Sequence, residues 1–283
     1  MTRLSRKLLA LLAAVFLGAC GAATPEVSRE QLGAPSPSAV ATALPTARPS
    51  PTPPIPDSGW QVIGPGLEQR TLNLISDEDE WLENVTLLRL EPARFRFDVH
   101  YQPDDPLDLV GWQAQTGALM VVNGGFFTES YQATGLIVVN GDASGVSYEG
   151  FGGMFAVTEQ GPEVRWLLAQ PYDPQEPLRA ALQSFPMLLT PGGVVAVSEE
   201  DGQRARRTVV ARDRQQRLLF LLFNRGHFTL HELSRFLADS DLELDVALNL
   251  DGGASSGLYM AQPAFYAPAY SLLPVVITVH DRP

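Results

Sequence analysis

The sequence predicts an α+β fold: a single domain of mixed, mostly antiparallel β-sheet with a few flanking helices. Three observations predict it. Short apolar runs with period-two alternation recur along the domain, bounded by Gly, Pro, Asn and Asp. Several are joined by turns short enough for hairpins. Helical spacing emerges in two places, without the regular strand–helix alternation of a doubly wound fold.

In order, Gln69 to Ile75 alternates, with Leu72 and Leu74 on one face. Val85 to Leu90 and Arg94 to Tyr101 read as a hairpin about Glu91-Pro92-Ala93, with Phe95, Phe97 and Val99 sharing a face. Leu107 to Ala114 is a short helix. Ala118 to Asn123 is a buried strand that runs into Gly124-Gly125. Thr134 to Val139 is a strand closed by Asn140-Gly141, a strong hairpin signal. Met154 to Thr158 and Val164 to Leu168 form a further pair. Met187 to Thr190 ends at Pro191-Gly192-Gly193, and Thr208 to Arg212 and Leu218 to Asn224 flank a four-residue turn. Thr229 to about Ser240 is the clearest helix. Thr229 and Glu232 make a capping box, and Leu230, Leu233, Phe236 and Leu237 follow at helical spacing. Val246 to Leu250 and Val275 to Val279 are the last strands.

Ahead of this domain, at 59–283, stand two segments of different character. Residues 1–20 read as a lipoprotein signal peptide. Arg3, Arg6 and Lys7 precede the apolar run Leu8 to Phe16, and Leu17-Gly18-Ala19-Cys20 closes it, with Cys20 the lipidation site. Residues 21–58 are rich in Pro, Ser, Thr and Ala and read as a disordered tether. The expected location is therefore extracytoplasmic, lipid-anchored to the cell membrane, with the lipid as the only membrane contact.

Composition narrows the chemistry. The chain has one cysteine, so a disulfide framework, a thiolate metal cluster and a cysteine nucleophile in the folded part are excluded. Lys7 is the only lysine, which excludes a catalytic lysine or Schiff base in the domain. The formal charge is -12, and loss of three basic residues with the leader leaves 17 basic against 32 acidic groups. Such an acidic domain argues against nucleic-acid binding and against docking on anionic lipid.

Two strand ends are alike. Val121-Val122-Asn123-Gly124-Gly125 and Leu248-Asn249-Leu250-Asp251-Gly252-Gly253 each pass from a buried strand into a polar residue and two glycines. Either reads as a turn or as a site. Glycine pairs let backbone approach a ligand and offer amides to an anion, and Ser255 and Ser256 add hydroxyls. The basic cluster Arg204-Ala205-Arg206-Arg207 offers a counter-charge. Arg204 and Arg206 read as solvated, and Arg207, beside a strand, as the inward one. His227 reads as a loop histidine rather than a proton shuttle, His100 as structural, and Glu232 as a cap.

The ordered motifs NGGFF (Asn123 to Phe127), GLIVVNG (Gly135 to Gly141), QSFPMLL (Gln183 to Leu189), RTVV (Arg207 to Val210), FTLHEL (Phe228 to Leu233) and ALNLDGGASS (Ala247 to Ser256) resemble those of the phosphodiester glycosidase family. The resemblance covers roughly Gly64 to Val279. It implies hydrolysis of a glycosyl C1–O bond whose leaving group is a phosphomonoester. The substrate class is a glycan or glycosyl phosphate. Carried onto this chain, it implies Asp251 as nucleophile or base and Arg207, with the glycine amides, as phosphate ligands. It implies substrate-binding roles for Asn123, Gly124, Thr208, Gly252, Gly253, Ser255 and Ser256. No cofactor is required. A divalent cation, Ca or Mg, on Asp251 is the alternative use of that carboxylate, although no compact ligand spacing accompanies it. Two departures place bulk beside the expected cleft: Phe185 where glycine is common, and His227-Phe228 where the family has Gly-Leu. The competing class is a non-catalytic lipoprotein that binds an envelope glycan phosphate.

Overall fold

The computed structural model describes residues 56–75 and 82–282. The expected leader, its Cys20, and the tether as far as residue 55 lie outside the described residues. In chain order the strands are β1 (Gln61–Gly64), β2 (Leu67–Ile75), β3 (Leu82–Leu90), β4 (Phe95–Tyr101), β5 (Met120–Asn123), β6 (Ile137–Val139), β7 (Asp142–Ser144), β8 (Gly153–Thr158) and β9 (Gly161–Trp166). They continue as β10 (Ala180–Ser184), β11 (Met187–Thr190), β12 (Val194–Val195), β13 (Arg207–Asp213), β14 (Leu218–Phe223), β15 (Leu244–Asn249), β16 (Leu258–Met260), β17 (Phe265–Ala267) and β18 (Val275–Asp281). Among the described residues two α-helices accompany them, α1 (Leu109–Thr116) and α2 (Leu230–Asp239). The expected α+β balance is corrected accordingly: the fold is predominantly β.

The strands form three antiparallel sheets. One has the order β1-β2-β3-β14-β13-β15-β11-β12, a second β7-β6-β10-β8-β9 and a third β17-β16-β5-β18-β4. The period-two rule explains how the large sheet serves two cores. In β14, Leu218, Phe220 and Leu222 point into a core shared by all three sheets, with Phe97, Val122, Phe155 and Leu182. Leu219, Leu221 and Phe223 point the other way, onto Leu233 and Leu237 of α2. Every residue of β14 is therefore buried, and the run LLFLLF shows no polar face.

Local signals in the sequence are realised where both partners are close in the chain. The β13–β14 hairpin pairs Arg207 with Phe223 through Arg212 with Leu218. β6 and β7 pair about Asn140-Gly141, both at positive φ as a primed turn requires. Thr229 and Glu232 exchange both bonds of the capping box. The pairing expected of Val85–Leu90 with Arg94–Tyr101 is not realised. β3 pairs with β2 and β14, whereas β4 pairs with β18. Pro92 opens a short 3-10 turn, Pro92–Arg94, which carries the chain from one sheet to another.

Sheet order also assembles the site. β13, β15 and β11 are neighbours, with Val209 opposite Asn249 and Met187 opposite Leu248. The start of β13, the end of β15 and the start of β11 therefore share one edge. The end of β5 joins them, because Asp251 N donates to Gly124 O at 3.0 Å.

Candidate active site

Asp251 stands two residues beyond β15. Burial is the main influence on its carboxyl and raises its pKa to about 6, against hydrogen bonding from Ser255 and Gly252. The Gly252 N–H donates to Oδ1 at 2.8 Å. Among the described residues no second carboxylate contributes to this shift. A carboxylate with a pKa near 6 is mostly ionised at neutral pH, yet basic enough to take a proton.

Asn123 and Thr208 hold this segment in place. Asn123 Nδ2 donates to Asp251 O at 2.8 Å, and Asn123 Oδ1 accepts from Thr208 Oγ1 at 2.7 Å and from Gly257 N at 3.1 Å. Both side chains are buried. Expected to orient substrate, they bond within the protein here, joining β5, β13 and the Asp251–Gly257 loop.

The glycine amides of the expected cradle also have partners within the protein. Gly124 N donates to Val275 O at 3.0 Å and Gly253 N to Arg206 O at 2.8 Å, while Gly252 N is held by Asp251. Glycine is required for another reason. A Cβ on Gly124 would lie 2.9 Å from Val275 O, and one on Gly252 would lie 2.9 Å from Arg206 O. These residues let four strand ends abut. Ser255 is buried, with Oγ 3.2 Å from Ser271 Oγ. Ser256 is fully buried; its Oγ, Ser184 Oγ and Asn249 Oδ1 have no partner among the described residues.

The positive charge lies in two arginines rather than one. Arg207 donates from Nη2 to Gln203 O at 2.8 Å and reaches over Gly252, whose Cβ would sit 3.7 Å from Nη1. Arg206, expected to be solvated, is half-buried. Its guanidinium lies 4.7 Å from the Tyr270 ring centre and donates to Pro268 O at 3.0 Å. Among the described residues neither has a carboxylate within 4.0 Å, and the Nε of both and Arg206 Nη1 are buried without a partner. Burial lowers both pKa values from the usual arginine value. Of the two, Arg207 is the one beside Asp251: half-buried over Gly252 and without a carboxylate partner, it suits an anionic ligand.

Arg204, in contrast, is exposed and pairs with Glu232 at 2.7 Å. His227 is a half-buried loop residue whose N–H donates to Glu83 Oε2 at 2.8 Å. Phe228 does not add bulk to the cleft; it packs on Phe223 and Phe236 against α2. Phe185 does stand at the site edge. His100 is structural, its Nε2 3.0 Å from Thr278 Oγ1.

A groove of about 1190 Å³ lies elsewhere, lined by Arg96, Arg179 and His280 among others. His280 is four residues along β18 from Val276, the partner of Asn123, which is about 14 Å. Two of its arginines are engaged, with Asp98 bonded to Arg179 and near Arg96. The Asp251 edge, with uncommitted charge, is the better site. Among the described residues no group of three or more His, Cys, Asp or Glu is placed to hold a metal ion.

Comparison with known proteins agrees with this fold. The family described as phosphodiester glycosidase matches residues 116–278. No curated protein matches the chain. Among solved structures, the zebrafish N-acetylglucosamine-1-phosphodiester alpha-N-acetylglucosaminidase catalytic domain, auto-inhibited by its pro-peptide, superposes with a TM-score of 0.62 at 16% identity. That match covers 77% of this chain and 85% of that one. A hypothetical protein from Synechocystis gives 0.54 at 14% identity, covering 77% and 62%. An exported protein from Burkholderia pseudomallei gives 0.52 at 12% identity, covering 73% and 76%.

Proposed function

Because the chain belongs to the phosphodiester glycosidase family, we propose that it hydrolyses a glycosyl phosphodiester, releasing sugar and a phosphomonoester, with Asp251 as the reacting carboxylate. The observation that carries this reading is the edge itself: a half-buried Asp251 with a pKa near 6 beside Arg207, which has no carboxylate partner among the described residues. The C1–O bond breaks and its electron pair goes to the phosphate oxygen. Arg207 stabilises the charge that develops there. A phosphomonoester has a second pKa of about 6, so it leaves without a strong acid. A single carboxylate therefore suffices. As base, Asp251 takes the proton of a water that attacks C1, with inversion; as nucleophile, it forms a glycosyl ester that water then cleaves, with retention.

The test is incubation of the protein with a panel of sugar 1-phosphodiesters, with and without a chelator, while free sugar is measured. Release that falls at least about a thousandfold in Asp251→Asn is expected. An active, folded Asp251→Asn removes the residue from the mechanism, and loss of release with chelator assigns a cation to the site. Binding without release across the panel would make the protein the glycan-phosphate binder instead. The proposed site of action is extracytoplasmic, with an acyl chain on Cys20. No described helix is long and apolar enough to cross a membrane, which bears on helices alone. Cys20→Ser should abolish incorporation of labelled fatty acid and release the protein from the membrane fraction; unchanged labelling would sink the anchor.

A further inference from the structure

Four aromatic rings gather at the start of β11. Phe126 stacks on Phe185 with centres 4.6 Å apart, and Tyr148 stacks on Phe151 at 4.7 Å. The pairs meet edge to face, Phe185 lying 5.6 Å from Tyr148 and 5.9 Å from Phe151. Buried Gln183 fixes the loop beneath them, accepting from Tyr148 N at 2.7 Å and donating to Ser147 Oγ at 2.8 Å. Gly135 makes room for Tyr148, whose Cζ would lie 2.9 Å from a Cβ there. The rings are thus held in place, yet Phe185 remains 37% exposed and Phe151 48%. A supported, contiguous apolar patch at the rim of a polar site marks a ligand surface.

Strand order decides which part of the ligand it takes. Arg207 begins β13, Asp251 follows β15 and Phe185 precedes β11, and β15 lies between the other two. Neighbouring strands are about 4.8 Å apart, so Arg207 and Phe185 stand on opposite sides of Asp251, about 10 Å from each other. In a glycosyl phosphodiester the anomeric carbon separates the phosphate from the ring. With phosphate at Arg207 and C1 at Asp251, the sugar ring falls on the Phe185 side. Phe126 is two residues from Gly124, whose carbonyl holds Asp251 N, so its Cα is within about 7.6 Å of that contact.

We propose that Phe126, Phe185, Tyr148 and Phe151 form the subsite for the glycosyl ring, and that it selects sugars presenting an apolar C–H face. The C–H groups of that face carry partial positive charge and meet the negative faces of the rings. Phe185 touches each of the other three rings and is exposed, so it is the residue of the platform that discriminates between sugars. The assignment rests on the Arg207–Asp251 reading above for its direction along the substrate.

The test separates ring binding from catalysis. The full chain is titrated with the methyl glycosides of N-acetylglucosamine, glucose, mannose and galactose, and with dimethyl phosphate, by calorimetry and saturation-transfer NMR. At least one glycoside should receive saturation from aromatic protons. Phe185→Gly and Phe151→Ala should each weaken it about threefold to tenfold, whereas Phe185→Trp retains it. Dimethyl phosphate, which has no ring, should respond to Arg207→Gln. The platform is overturned if no glycoside binds, or if binding persists unchanged in both variants shown to be folded by circular dichroism. Ring binding with no diester hydrolysed sinks the catalytic reading alone. Hydrolysis without any effect of the two variants on ring binding sinks the platform alone.

Discussion

The position of the Asp251 carboxyl costs stability. Its folded pKa of about 6 lies above the 3.8 of a free carboxyl, because burial disfavours the charged form. Between those values the folded state binds more protons than the unfolded one, so stability is greatest below about pH 4, falls as pH rises to about 6, and is level beyond. A shift of about two units corresponds to roughly 3 kcal/mol. Asp251→Asn should therefore be more stable than the wild type at pH 7 by up to about 3 kcal/mol, and equal to it near pH 4, by urea denaturation. No difference at pH 7 would mean the carboxyl is not desolvated. Asn123 has the opposite profile, a side chain that only positions. Asn123→Ala leaves Thr208 Oγ1, Gly257 N and Asp251 O without their partner, and should destabilise by about 3 kcal/mol as well as slow turnover. A variant with wild-type stability would show that water replaces the amide. The sequence pointed to Asp251, Asn123 and Thr208, but not to the bonds that join them. Whether a polar group faces substrate or its own protein depends on partners more than 80 positions away, such as Thr208 for Asn123.

Elements were legible where their determinants are local. The capping box of α2 needs only Thr229 and Glu232, and both bonds are present. Thr229 Oγ1 additionally donates to Glu200 at 2.7 Å. Thr229→Ala should cost about 1–2 kcal/mol in chemical denaturation, and a change below experimental error would mean α2 is held by packing alone. β10 was missed because Ala180-Ala181-Leu182-Gln183-Ser184 lacks β-branched or aromatic residues; it is a strand because β6 and β8 pair with it on either side. The β3–β4 hairpin was expected from two adjacent strands and a proline turn, which cannot show that each strand has a better partner far away in sequence. Close approach of elements was equally hidden. Gly125 looked like an anion-binding glycine, yet a Cβ there would lie 2.6 Å from Gln183 O. Gly125→Ala must push the end of β5 from the end of β10, and should lower stability by about 1–3 kcal/mol. A folded, fully active Gly125→Ala would show that this junction tolerates the displacement.

At the scale of the whole molecule, charge acts against the proposed reaction. The chain carries a formal charge of -12, and a phosphodiester is an anion. Two fields therefore oppose each other, a diffuse repulsion from the surface and a local attraction by Arg207 and Arg206. Their ranges differ. The Debye length is about 30 Å at 0.01 M ionic strength and about 8 Å at 0.15 M, so added salt removes the repulsion between substrate and distant carboxylates. It removes much less of the attraction at contact with half-buried guanidinium groups, where little water or salt intervenes. Raising salt over this range should then lower KM for a sugar 1-phosphodiester, by about two- to threefold, with kcat nearly constant. This is opposite in sign to the usual weakening of an ionic site by salt. In Arg207→Gln the repulsion remains while the contact is lost. KM should be much higher at every salt concentration and should still fall as salt is added. A KM that rises with salt in the wild type and becomes salt-independent in Arg207→Gln would show that the local arginine field, and not the acidic surface, governs approach to the site.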